Sequence, residues 1–366
     1  MLNNKTVAVV VPAYNEERQI LSVIENMPDF VDRIVIVNDN SNDSTANVVA
    51  SYIAKVPKSK LELPCYTYPT GDGARYDRAN VVLMEKLASE EALYTRSEIV
   101  NKMPDNDRVI LINHLDNGGV GAAMATGYKW CRDHAVDCTA LMDGDGQMDP
   151  SELQSICLPV VAEGVDYVKG NRLGHPSARL MIPLARYFGN SILSILTKVA
   201  SGYWHVSDTQ TGYTAISLNA LRRIRLCDIY HSYGRPNDML VKLNIECCTL
   251  HEVVIKPVYN VGERSKMKIW KVIPRVSWLL LKSFFIRLYK KYFWRDFHPL
   301  FLLYHSSFLL LLISIPYGYR IMRAVVKGLE IGNLPVLAFL FLFVMGFQFL
   351  LFAMWMDIQD NERLNK

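Results

Sequence analysis

From Leu334 to Met356 the chain runs 23 residues without a charged side chain. A helix of about 20 apolar residues crosses the hydrocarbon of a bilayer, so this segment predicts a membrane span and sets the rest of the chain beside a membrane. A second stretch, 300–319, is nearly as apolar. It holds His305, Ser306, Ser307 and the helix-weakening Pro316-Tyr317-Gly318, and predicts a second span with room for a kink. Two crossings return the chain to its starting side. Ten Lys and Arg between 263 and 298, against Arg320, Arg323 and Lys327 in the hairpin loop, put the N-terminal part in the cytosol by the positive-inside rule. At about 100° per residue, Arg275, Lys282, Arg287, Lys290 and Lys291 fall on one half of a helix, among Trp270, Trp278, Phe284, Phe285, Phe293 and Trp294. That is the pattern of an interfacial helix facing lipid headgroups. The division expected is a cytosolic domain at 1–262, basic amphipathic juxtamembrane helices at 263–298, two transmembrane helices at 299–357 and a short cytosolic tail at 358–366.

The first part is large enough to bury a core of its own. Net charge is only +4, so no global basic field points to nucleic acid, and an anionic partner must be met by a local cluster. Seven cysteines include the adjacent Cys247-Cys248 and form no CxxC, which fits reduced cytosolic thiols better than a disulfide framework. The N-terminus enters a strand-like run without the apolar stretch of a signal peptide.

Residues 6–11, 33–37, 109–113 and 138–142 are short aliphatic runs without alternation, as expected of strands buried on both faces of a parallel sheet. Helical spacing occupies 16–28, 44–55, 119–133 and 150–163, and Asp149-Pro150-Ser151-Glu152 reads as a helix start with Pro in the first turn. The order predicts an open α/β sheet. Residues 56–107, rich in Pro and Gly with a helix near 80–102, are too long for an ordinary connection and read as an insertion.

After the first strand a dinucleotide fold would carry GxGxxG; Val11-Pro12-Ala13-Tyr14-Asn15-Glu16 stands there instead. The second strand ends in a polar cluster beginning Asn38-Asp39, able to bond a base or ribose, or equally to form an Asx turn and helix cap. The most informative segment is Asp143-Gly144-Asp145-Gly146-Gln147 behind a buried strand. Two carboxylates and an amide can converge there on a hard divalent cation such as Mg²⁺ or Mn²⁺ and share it with substrate phosphates. A solvated acidic turn would explain the charges but not their place.

The combination of VVPAYNEE (10–17), DNSNDST (39–45), NGGVGAAMATGY (117–128), DGDGQMDP (143–150), KGNR (169–172) and DTQTGY (208–213), in this order, resembles the family 2 glycosyltransferases of the GT-A fold. Within them it is similar to the branch holding dolichol-phosphate mannose synthase and the bacterial polyprenyl-phosphate glycosyltransferases. The resemblance covers about 5–55 and 108–270 and the paired C-terminal helices. It implies that Pro12, Ala13, Tyr14, Glu16, Asp39 and Asp143 bind the nucleotide, and that Asp143, Asp145 and Gln147 hold Mg²⁺ or Mn²⁺. It assigns Arg172, Arg186, Asp238, Arg264, Ser265 and Lys266 to donor or acceptor phosphates, and Asp145, Asp208 and Arg172 to catalysis. Thr214 stands where many relatives have Arg, and Asn38 replaces the first acid of the usual pair. The QxxRW motif of processive relatives does not occur.

The activity implied is inverting transfer of one sugar from a nucleotide-sugar, a UDP-sugar favoured over GDP-mannose, to a polyprenyl phosphate. A lipid phosphate is already an anion at neutral pH, so no dedicated base is required; Asp208 could act as base or orient the acceptor. The expected setting is a multi-pass protein of a bacterial or archaeal inner membrane, with room for a homo-oligomer. The alternatives are a transferase acting on another lipid acceptor, and an inactive nucleotide-binding membrane scaffold.

Overall fold

The computed structural model describes residues 1–55, 78–181, 184–258, 269–330 and 332–366. An eight-stranded sheet forms the centre, from β1 (Val7–Ala13), β2 (Arg33–Asn38), β3 (Ser97–Ile99), β4 (Val109–His114), β5 (Cys138–Leu141), β6 (Tyr167–Asn171), β7 (Thr214–Ser217) and β8 (Leu250–Val254). Their order is β3-β4-β2-β1-β5-β7-β6-β8. β1 lies parallel to β2 and β5, β2 to β4, and β6 to β8; β7 runs antiparallel to β5 and β6, and β3 antiparallel to β4. This is the open, mostly parallel sheet with flanking helices that the sequence predicts.

The helices are α1 (Ile20–Glu25), α2 (Thr45–Ile53), α3 (Arg78–Glu91), α4 (Val120–Asp133), α5 (Leu153–Glu163), α6 (Ala178–Met181), α7 (Leu184–Ser201), α8 (Leu218–Arg223), α9 (Arg235–Ile245), α10 (Ile269–Tyr289), α11 (Pro299–Lys327) and α12 (Asn333–Glu362). Successive strand residues point to opposite faces, so a strand covered on both sides must be apolar throughout. Val7, Val9 and Val11 of β1 enter one core with α1 and α5, whereas Ala8 and Val10 enter the other with α4 and α9. β2 divides in the same way, Ile34 and Ile36 against Val35 and Val37. The segment expected as an insertion supplies α3 and the edge strand β3.

α11 and α12 are long and apolar enough to cross a membrane. Their pairing is antiparallel: the Ser307 hydroxyl donates to the Gly346 carbonyl, and Gly318 faces Phe339. A third core joins them to the sheet domain through Val276, Leu280, Phe284 and Leu288 of α10, spaced four apart so that they form one stripe, with Val241 of α9 and Ala200 of α7.

On that stripe the structure corrects the charge reading of 263–298. Arg275, Lys282 and Lys290 are exposed, but Arg287 and Lys291 are buried. Arg287 binds both oxygens of Asp357 at 2.8 Å and donates to the carbonyls of Val199 and Ala200. Lys291 donates to Asn361 and Asn244, and the Tyr292 hydroxyl bonds Asp357 and Asp360. The partner acids arrive from the far end of α12, some 70 residues on, where no local periodicity could announce them. Gly202, just after α7, has φ +78°, and a Cβ there would lie 2.3 Å from Nη1 of Arg287. The last residues do not form a free tail. Leu250 of β8 donates to Leu364, and Lys366 donates back to Leu250, so the chain ends on the edge of the sheet.

Removing one partner of a fully buried pair strands the other charge, at a cost of about 3–5 kcal/mol. Arg287→Met or Asp357→Leu alone should therefore lower the thermal midpoint in detergent strongly, whereas the double substitution should recover most of the loss. Near-equal midpoints for the wild type and both single variants would show that the pair does not hold α10 to α12.

Candidate active site

The loops at the carboxyl ends of β1, β2 and β5 meet on one edge of the sheet, because these strands are parallel. The register Leu141↔Thr214 then sets the approach to antiparallel β7, the DTQTGY segment, beside the loop leaving β5.

At the β1 end, Pro12 and Ala13 are buried while Tyr14 is exposed. Asn15 N–H donates to Ser41 Oγ, Asn42 N–H to Asn15 Oδ1, and Glu16 N–H to Thr45 Oγ1, which ties this loop to the one after β2. Asp39, expected to meet base or ribose, is met here by donors of the protein. Its carboxylate is buried and accepts from Gly118 N–H at 2.9 Å and Gly119 N–H at 2.8 Å, with His114 Nδ1 at 2.7 Å. Burial raises its pKa, but the His114 ring and the two amide donors more than offset this and hold it below the usual carboxylate range. Asp39 thus anchors the glycine loop that opens α4, with Asn117 donating to its carbonyl.

Asp143, Asp145 and Gln147 lie partly exposed on the turn after β5. Gly144 N–H donates to the Pro12 carbonyl, which fastens the turn to β1, and Asp145 Oδ1 accepts from Gln147 N–H. Nη2 of Arg235, at the start of α9, lies 3.5 Å from Asp143 Oδ1. The backbone of Gly212 packs against both: a Cβ there would stand 3.0 Å from Asp143 Oδ2 and 3.0 Å from Arg235 Nη2. Among the described residues no group of three or more His, Cys, Asp or Glu surrounds this point. Two carboxylates and an amide leave coordination positions open for phosphate oxygens, which is how Mg²⁺ is usually shared with a substrate. The residues present fit such an ion.

Behind this turn lies a buried polar cluster. Asp208 is fully buried and bidentate with Arg172, 2.8 Å to Nε and 3.1 Å to Nη2. Glu252 of β8 accepts from the N–H groups of Ser207 and Asp208 and from the Asn171 amide. Burial opposes charge on Asp208, yet Arg172 keeps its pKa below the ordinary value. The two bonds hold the Arg172 guanidinium in one orientation. Asp238, expected on the acceptor side, accepts from Tyr230 N–H and pairs with Lys242, closing the loop before α9. Arg186 belongs to α7, and its side chain lies outside the described residues, as do Arg264, Ser265 and Lys266.

Residues 8–62 and 93–225, just over half of the chain, match the profile of glycosyl transferase family 2. The chain belongs to this family. The gap between the matched segments falls within the insertion expected at 56–107. The family's enzymes are glycosyltransferases, and so is this chain. It is similar to the UDP-N-acetylglucosamine–dolichyl-phosphate N-acetylglucosaminyltransferase of Methanococcus voltae, 28% identical over 70% of this chain and 87% of that protein. The dolichyl-phosphate β-glucosyltransferase of Dictyostelium discoideum is 33% identical over 37% of this chain and 42% of its own length. Among solved structures, Mycobacterium tuberculosis glucosyl-3-phosphoglycerate synthase with Mn²⁺, UDP and glucosyl-3-phosphoglycerate has a TM-score of 0.45 at 15% identity, covering 78% of this chain and 80% of that one.

Sequence reasoning missed Lys169 as a residue in its own right. It is fully buried in β6, its ammonium donates to the Thr211 carbonyl at 2.6 Å, and burial lowers its pKa from 10.5 to about 7, with Asp208 and Glu252 opposing the fall. The unfolded chain keeps this proton up to about pH 10.5 and the folded one releases it near 7, so the unfolded state binds more protons in between. Stability relative to Lys169→Met should therefore rise between pH 7 and about pH 9.5. Denaturant unfolding of both proteins across that range checks it; parallel pH profiles would refute it.

Proposed function

We propose that the chain transfers a single sugar, with inversion, from a UDP-linked donor to a polyprenyl phosphate at the cytosolic face of a membrane. The observation that carries this reading is the meeting of the Asp143–Gln147 turn, the Gly212 backbone, Arg235 and the Arg172–Asp208 pair at the carboxyl edge of the sheet. The likeness to a dolichyl-phosphate transferase over most of that protein's length supports the acceptor class.

The donor's nucleoside would lie over Tyr14 and the tied loops after β1 and β2. Asp143, Asp145 and Gln147 would hold Mg²⁺ or Mn²⁺, which when bound neutralises charge on the diphosphate as it leaves. A phosphate oxygen of the acceptor attacks the anomeric carbon and forms the new C–O bond. The old bond to the diphosphate breaks, and its electron pair leaves with the diphosphate. The attacking oxygen carries no proton to remove, which is consistent with an Asp208 that is buried and paired. Arg172, fixed by Asp208, is directed to phosphate charge.

The membrane side of the reading rests on exposure. Ile192, Ile195 and Leu196 of α7, with Trp278 and Leu281 of the adjoining α10 and Trp294 beyond it, are exposed, and α11 and α12 present largely apolar outer surfaces. Lys282 and Lys290 border a cavity that Trp278, Phe285, Tyr289 and Trp294 also line. Aromatic rings with lysines at one depth suit the headgroup level of a bilayer.

Asp145→Asn should leave the thermal midpoint within a degree or two and reduce transfer to background, and EDTA should do the same to the wild type, reversed by Mn²⁺. The assay uses purified protein with a panel of UDP- and GDP-sugars and a short polyprenyl phosphate. Undiminished transfer by metal-stripped Asp145→Asn would remove the metal from the reading. Transfer from GDP-mannose alone would overturn the choice of donor.

A further inference from the structure

Several cations inside this structure are held by close partners. Arg287 commits Nε, Nη1 and Nη2 to a carboxylate and two carbonyls. Arg172 commits Nε and Nη2 to Asp208, and Lys169 donates to the Thr211 carbonyl. Arg235 differs. Its side chain is 7% exposed, and among the described residues its one hydrogen bond is the 3.5 Å approach of Nη2 to Asp143, while Nη1 is buried without a hydrogen-bond partner.

A guanidinium stays charged when buried. Leaving one of its N–H groups unmet costs free energy, which an anion bound beside it would offset. Asp143 is 29% exposed, so the solvent-facing side of this contact is open. Gly212 lets the backbone of the DTQTGY segment pack against the pair, since any Cβ there would crowd both Asp143 Oδ2 and Arg235 Nη2 at 3.0 Å. The position is fixed as well: Arg235 opens α9, followed by Pro236, and the neighbouring Asn237 accepts from the Gln210 amide of the DTQTGY segment.

We propose that Arg235 is a donor-site cation, whose guanidinium donates to a phosphate oxygen of the nucleoside diphosphate on the open side of Asp143. The inference rests on the donor reading given above and adds to it a contact from α9, an element outside the residues assigned to the nucleotide. A planar fork facing both a carboxylate and a phosphate would also set the angle at which the diphosphate lies across the turn after β5.

The test uses the full-length protein in detergent with Mn²⁺ and four probes: UDP, GDP, uridine and guanosine. Diphosphate affinities are measured by calorimetry and nucleoside affinities by ligand-observed NMR. For the diphosphate that binds the wild type, Arg235→Gln should weaken affinity by about tenfold or more, the usual loss for a hydrogen bond to a charged group. The matching nucleoside should change by less than about twofold, since it carries no phosphate. Arg235→Lys, which keeps the charge but not the fork, should fall between the two and guards against a folding defect in the Gln variant. Equal losses for diphosphate and nucleoside, or no loss for either, would overturn the assignment and leave Arg235 as support for Asp143. A wild type that binds neither diphosphate would instead overturn the donor reading itself, before any variant is considered.

Discussion

The arrangement of the whole chain turns on a charge pair that water does not reach. Arg287 and Asp357 are both fully buried, and such a pair is tolerable only when nearly every donor and acceptor is met. That requirement fixes the neighbours. α7 must end where the carbonyls of Val199 and Ala200 face the guanidinium, Gly202 must lack a side chain, and α12 must extend beyond its apolar span to deliver Asp357, Asp360 and Asn361. The apolar hairpin is thereby joined to the glycosyltransferase domain through a polar lock rather than a linker. α9 carries the constraint onward. Asn244 near its end belongs to the lock, Arg235 at its start touches Asp143, and its 11 residues span about 16 Å.

The sheet makes the opposite kind of demand, for apolar groups on both faces, and it satisfies this with alternating residues of β1, β2 and β4. Parallel strands send their carboxyl ends to one edge, which gathers the loops after β1, β2 and β5. β7 runs the other way, and that reversal brings DTQTGY to DGDGQ. Two segments more than 60 residues apart become neighbours through one register, and the Gly212–Asp143 approach follows from it.

Strands buried on both faces were legible because burial leaves a run of aliphatic residues, and β1, β2, β4 and β5 lie within about two residues of the predicted limits. The other four were not. β3 is a three-residue exposed edge, β7 has four residues, and β6 and β8 carry Lys169, His251 and Glu252, whose polar groups are met only in the folded cluster. The motif segments come together at one edge of the sheet, and three acids within or beside them are bound by other parts of the protein. Asp39 is used by amides nearly 80 residues away, Asp208 by an arginine 36 residues away, and Asp238 by a loop and a lysine of its own neighbourhood. A carboxylate's task depends on which donors reach it, and those partners are set by topology rather than by spacing. The basic stripe of 263–298 misled for the same reason: Arg287 of α10 and Lys291 just after it have partners on α12.

These anchors also decide what charge the site presents. An uncompensated carboxylate near the turn after β5 would repel a diphosphate, yet the loops there are rich in acids. Asp39 is bound by amide donors and His114, Asp208 pairs with Arg172 and Asp238 with Lys242, and Glu252 is turned toward backbone N–H groups. Each therefore stiffens a loop, and its charge is met by donors of the protein before an incoming anion arrives. Asp143 and Asp145 remain partly exposed on a turn held by Gly144 to the end of β1. Acids that would oppose phosphate are consumed in building the frame, and the pair left at the surface is the kind a divalent cation requires.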